Sequence, residues 1–200
     1  MTPRQHKEFL LKQESEAAEK AKQWHCLLFS NGKKLKTALA EMDDWRLDAG
    51  DVPLIIKLIE NPKYDIGILP GAVSLFSHDC IHILLGRGIL PKDEAFVIGF
   101  TMGSTKKMNW FREKLFLFIS RWLYPEGYKF YEEERRIFEL ALIAGKRCPY
   151  DLTKIDFKKL LNKSMTSIRK KIEVDTKFIK ILYFLEKKMC PDSLESQRLL

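Results

Sequence analysis

The stretch SHDCIHILLGRGILPKDEA, residues 77–95, carries two of the chain's four histidines one helical turn apart, an aspartate beside the first and a glutamate beyond a glycine-containing turn. If residues 78–85 are helical, side chains advance by about 100° each, which puts His82 about 40° and Asp79 about 100° round from His78. One arc then carries two imidazoles and a carboxylate. The i,i+4 spacing holds the Cβ atoms about 6 Å apart, within reach of a common ion at Zn–N distances near 2.1 Å. A reversal centred on Gly88 pairs residue 82 with residue 94 in an antiparallel hairpin, so Glu94 returns to the level of His82. Glu94 also falls in the first turn after Pro91, where the helix dipole favours a carboxylate. Gly86 and Gly88 permit the reversal because glycine tolerates positive φ. Taken singly, each residue reads as an ordinary polar side chain of a helical hairpin; together, His78, Asp79, His82 and Glu94 are candidate ligands of one divalent ion. Asp79 lies farthest round and is equally suited to orienting His82 from behind. The donor set fits Zn²⁺ first, and Fe²⁺ or Mn²⁺ if a coordination position stays open. No catalytic side chain is assigned beyond these ligands.

Two other metal chemistries fit less well. A zincin needs HExxH, whereas Asp79 follows His78 and no histidine lies beyond His82. A His-Asp phosphohydrolase needs a further upstream histidine and a distant aspartate. His25 is the nearest candidate, and Trp24-His25-Cys26 reads as the end of a buried helix.

The elements that must position these ligands read as helices with short punctuated turns, and alternating strand patterns are nearly absent. Thr2-Pro3 starts a first helix toward Trp24, and LKTALAEMDDWRL and VPLIIKLIE suggest two short ones. GAVSLFSHDCIHILL ends at Gly86 and a partner helix opens at Pro91, making the hairpin. Further helices are predicted over 109–123 and 128–144, the latter stopped by Gly145. In the last long helix, capped by Asp175, Phe178, Ile181, Leu182, Leu185 and Met189 share one face and read as core. Residues 191–200 are expected to fray. The expectation is one all-α domain over 1–200, a helical bundle around a central metal-binding hairpin.

The 46% hydrophobic content argues for a globular chain. Four scattered cysteines without a CxxC pair, and no secretory signal, point to an intracellular, reducing setting. The longest uncharged stretches fall well short of the roughly 20 apolar residues that span a bilayer, so no transmembrane helix is expected. The net charge is +8, and its excess lies wholly in 101–200, with 22 Lys/Arg against 13 Asp/Glu. A solvated helical exterior explains such a bias, and so does an anionic partner. Arg169–Lys171, Lys177, Lys180, Lys187 and Lys188, with Trp122 and Tyr124, suit an anionic membrane surface, each charge contributing about 1 kcal/mol. Nucleic acid is disfavoured, since neither RNP-type interleaving nor finger spacing is present. The expected location is cytoplasmic or peripheral on the inner face of a membrane.

HDxxH at His78, Asp79 and His82, then eleven residues, then Glu94, resembles the metal motif of the fourth coenzyme Q (ubiquinone) biosynthesis protein family. A looser likeness covers 137–172, a helix, a basic turn, a short apolar link and a final helix beginning at Ser164 or Ser167. The resemblance spans roughly 65–172; residues 1–60 and the surroundings of the motif are unlike the usual members. It implies an all-α protein at the membrane face that binds a prenylated quinone precursor and removes its head-group carboxylate with hydroxylation, or organises other quinone-biosynthesis enzymes. It implies His78, Asp79, His82 and Glu94 as ligands.

Ten of the 23 aromatic residues fall in 110–138, more than caps and turns require. An apolar tail needs a greasy channel with polar groups at one end. Phe116, Trp122 and Phe138 are candidate lining residues, though any of these rings could be plain core. Gly99 and Gly103 leave room for a ligand or a second helix to approach, and Gly103 also suits a helix C-cap. Two functions follow: metal-dependent binding and head-group processing of a prenylated ring, or a non-catalytic polyprenyl-lipid scaffold whose ion fixes the hairpin. An all-α interaction module without metal is the blandest alternative.

Overall fold

The computed structural model describes residues 24–29, 32–43 and 68–200. Its α-helices are α1 (Leu35–Asp43), α2 (Leu75–Leu85), α3 (Pro91–Ser104), α4 (Trp110–Trp122), α5 (Glu132–Arg147), α6 (Met165–Lys171), α7 (Thr176–Met189) and α8 (Leu194–Gln197). Short 3-10 turns lie at Glu126–Tyr128, Leu152–Lys154 and Phe157–Leu160. Among the described residues there is no sheet, only an isolated bridge between Lys34 and Ser164, so the fold is all-α as the periodicity predicts. The predicted helices over 3–24 and 52–60 lie outside the described residues, apart from Trp24.

Local chemistry sets the hairpin. Ser74 caps α2 by accepting from the Ser77 amide, and Gly86 closes it in the left-handed region at φ 71°. Pro91 then opens α3, and the Asp93 carboxylate accepts from the Leu90 amide at 3.2 Å. Arg169 of α6 is buried and donates to the carbonyls of Leu84 (2.7 Å), Ile83 (3.2 Å) and Leu28 (2.5 Å). It satisfies the free carbonyls at the end of α2 and is not one of the surface cations expected of 169–171.

α3 is the buried centre. From Ala95 to Ser104 every residue is buried, and α5 is its main partner. Gly99 and Gly103 face α5 closely: a Cβ at Gly99 would strike the Phe138 carbonyl, one at Gly103 that of Leu142, and one at Gly145 that of Phe100. Of the alternatives for these two glycines, close approach of a second helix is the one observed. Thr105, not Gly103, is the cap of α3. Gly145 does not stop α5, which runs on to Arg147, because its missing side chain is needed at this crossing.

α4 is pinned to α5 by rings. Phe116 and Phe138 stack at 4.8 Å, with Phe130 and Tyr124 edge-on to Phe116 at 5.7 and 6.4 Å. Both stacked rings are 0% exposed.

α7 turns a face inward other than the one its pattern suggests. Ile179, Leu182, Tyr183 and Glu186 are buried, whereas Ile181 and Leu185 are 63% and 41% exposed. Tyr183 donates to the Leu85 carbonyl at 2.6 Å, and Glu186 takes a two-pronged bond from Arg87 at 2.9 and 2.5 Å. Arg87 is fully buried between the rings of Phe96 and Tyr183, at 4.0 and 4.2 Å. A buried guanidinium demands its carboxylate, and that demand sets the rotation of α7. Residues 191–200 do not fray. α8 packs on α7, Leu199 is buried, and Gln197 donates to the carbonyls of Lys187 and Cys190 at 2.8 and 3.1 Å. Trp24 to Phe29 is non-helical, a stretch of alternating burial with Trp24, Cys26 and Leu28 inward.

Candidate metal centre

α2 and α3 bring three of the four predicted ligands together. His78 Nε2 lies 2.9 Å from His82 Nε2 and 2.9 Å from Glu94 Oε2, and His82 Nε2 lies 3.2 Å from Glu94 Oε1. All candidate ligand atoms of this trio fall within 4.8 Å of one another. Glu94 stands where a reversal about Gly88 places it. Asp79 is buried on α2 and is not part of the trio.

The feature that orients the site is a backbone group. His82 Nδ1 lies 2.6 Å from the Gly88 carbonyl. A carbonyl only accepts, so Nδ1 carries a proton and the ring turns Nε2 toward His78 and Glu94. This is the outer bond that fixes tautomer and ring angle in histidine ligands, and it fills the orienting role considered for Asp79. Side-chain types could not reveal it. Gly88 does not adopt positive φ, unlike Gly86. A Cβ there would meet the ends of the Arg198 and Asp93 side chains, which would have to shift to admit it.

The electrostatics favour positive charge at this site. His82 is fully buried, while the side chains of His78 and Glu94 are 18% and 28% exposed. Burial works to raise the Glu94 pKa, but the His82 and His78 imidazoles outweigh it and hold the carboxyl well below the usual carboxylate range. His82 Nε2 and the Glu94 carboxylate approach to 3.2 Å, so either Nε2 carries a second proton and donates to the carboxylate, or a cation stands between their lone pairs. Positive charge, as a proton or a metal ion, resolves that approach. Two imidazole nitrogens and one carboxylate suit Zn²⁺ and also Fe²⁺ or Mn²⁺.

His78 forms part of a shallow cleft with Gly71, Val73, Ile98, Thr101 and Met102, so the trio meets the surface on one side. None of the expected lipid-lining residues is among these. Phe116 and Phe138 fill the core, Gly99 and Gly103 are covered by α5, and Trp122 is 65% exposed at the surface. Their apolar character serves helix packing in four cases and an external surface in the fifth.

Comparison of the chain with protein-family models, with curated proteins and with solved structures returns no match. Among the described residues no helix is long and apolar enough to cross a membrane.

Proposed function

We propose that this chain binds a divalent metal ion through His78, His82 and Glu94 and uses its remaining coordination positions to hold the polar head of a prenylated quinone precursor at a membrane face. The carrying observation is the convergence of the two Nε2 atoms and the Glu94 carboxylate, with His82 locked by the Gly88 carbonyl. Three protein ligands with one side near the surface is the pattern of a reactive site; a structural ion is normally closed by four. Asp79 standing outside the trio therefore favours head-group processing over a scaffold. The HDxxH-x11-E spacing supports the ring substrate, and the apolar Val73, Ile98 and Met102 beside His78 suit the start of its tail. When bound, the ion supplies Lewis acidity to a ring carboxylate or phenolate. Glu94 keeps its negative charge and Gly88 keeps His82 in the ligating tautomer.

Metal analysis of the purified full chain, with native mass spectrometry of material from its own host, tests this. One equivalent of metal in the parent and in Asp79→Asn, and its loss in His82→Ala and Glu94→Ala, is expected, together with a co-purified prenylated ring. Full occupancy in both ligand variants sinks the metal reading. Metal with no bound lipid reduces the ion to a structural part.

A further inference from the structure

α7 leaves an apolar and cationic stripe on the surface. At about 100° per residue, Lys177, Ile181, Phe184 and Lys188 fall within about 60° of one another, on the side opposite Ile179, Tyr183 and Glu186. The exposures agree: Ile181 63%, Phe184 60% and, on the flank, Leu185 41%. Lys180 borders the other flank with its ammonium 5.1 Å from the exposed Phe29 ring, and Lys188 lies 5.6 Å from the Phe184 ring. Lysines thus stand at both ends and along one edge of an apolar centre. The only carboxylate on α7, Glu186, is turned inward to Arg87, so the outer face of this helix carries cations alone.

From this we infer that the outer face of α7 docks on an anionic lipid surface, Ile181, Phe184 and Leu185 entering the interface while Lys177, Lys180 and Lys188 meet the head groups. Exposed apolar residues framed by lysine are the composition of interfacial helices. Charge selects the occupant. A second copy docking through a two-fold axis would set lysine against lysine, with no carboxylate on the helix to relieve it. Nucleic acid would use the lysines and leave the apolar centre without a role. The other exposed aromatic helix, α4, presents Trp110, Phe111 and Trp122, but Glu113 lies on it and Glu126 bonds Tyr131 beside it, so its charge is mixed. The inference names the face that the membrane reading above requires and does not depend on the ion; vesicle binding and metal content are separate readouts.

The test is sedimentation of the full chain with phosphatidylcholine vesicles, with and without phosphatidylserine. Expected is binding that requires phosphatidylserine and weakens with salt. Each of Lys177→Gln, Lys180→Gln and Lys188→Gln should weaken it about fivefold. Phe184→Ser with Ile181→Ser should weaken it at least tenfold at unchanged circular dichroism, whereas Trp110→Ser with Trp122→Ser should leave it within about twofold. No vesicle binding by the parent chain, or loss confined to the α4 variant, overturns the inference. So does a dimer that Phe184→Ser dissociates when vesicles are not bound, since the face would then belong to a second copy.

Discussion

Arg198 Nη2 sits 2.6 Å from Asp93 Oδ2, joining the segment after α8 to the first turn of α3 across 105 residues of sequence. The same guanidinium and carboxylate occupy the space where Gly88 would carry a side chain, so they wall in the residue whose carbonyl orients His82. On the metal reading, Arg198→Ala should weaken metal affinity measurably but by less than the about 10–100-fold that losing a direct outer partner of a ligand costs, since Arg198 stands one step behind the Gly88 carbonyl. Leu199→Ala disturbs the same segment without touching Gly88 and should leave the affinity near the parent value. Chelator competition on the two variants measures the difference; equal affinities would detach Arg198 from the site.

Lys92 gathers three carboxylates, with Nζ at 3.1 Å from Glu134, 3.2 Å from Glu133 and 3.3 Å from Glu195. Burial works against the charge of Glu195, yet its own backbone N–H and Lys92 hold its pKa below the ordinary value. A carboxylate depressed in the folded state adds stability above its unfolded pKa and loses that contribution as pH falls through the folded value. Lys92→Met should therefore cost on the order of 2–3 kcal/mol at neutral pH, the Lys92 side chain being only 12% exposed. The gap to the parent should narrow as the carboxylates protonate in acid. Urea denaturation at neutral and acidic pH checks the sign, and a gap that widens in acid contradicts the assignment.

The two kinds of aromatic residue on α4 predict opposite responses. Phe116, fully buried against Phe138, should cost about 3–5 kcal/mol when truncated to alanine. Trp122, 65% exposed, should change stability by no more than about 0.5 kcal/mol. Thermal melts of the two variants decide whether Phe116 is core, as its burial indicates, or lines a ligand channel that tolerates its loss.

What was legible in the sequence is what local chemistry specifies. Gly86 and Pro91 mark the end of α2 and the start of α3, and once that hairpin is drawn, Glu94 returns to His82; a start at Gly71 is too early for α2, because it passes over the Ser74 cap. What stayed hidden depends on distant or backbone partners. The bond from His82 to the Gly88 carbonyl involves no side chain at Gly88, so residue types carry no trace of it. Arg169 looks like one cation of a surface run, but its guanidinium serves carbonyls of Leu84 and Leu28, which are remote in sequence. In α7 the apolar pattern allows Ile181 and Leu185 to face inward. The choice went to Tyr183 and Glu186 because Leu85 and Arg87 supply partners that a periodicity argument does not see. Residues 191–200 read as a polar tail for the same reason: Ser196 bonds Glu186 at 3.0 Å and Arg198 bonds Asp93, each a match to a group already buried.

Gly145→Ala sets two effects of known size against each other. Alanine inside a helix gains about 1 kcal/mol over glycine through the lower entropy of the unfolded chain. In α5, however, the new Cβ would meet the carbonyl, the carbonyl carbon and the Cα of Phe100, all backbone atoms of the buried helix α3. A backbone cannot rotate away as a side-chain end can, so the helices must separate, and overpacking of a tight core costs about 1–3 kcal/mol or more. Collision should win, giving a net loss of stability. Gly32→Ala is the control, because nothing lies within 4 Å of a Cβ there. Chemical denaturation should show Gly145→Ala destabilised and Gly32→Ala close to the parent; a Gly145→Ala variant as stable as the parent would mean that α3 and α5 are not in backbone contact at this crossing.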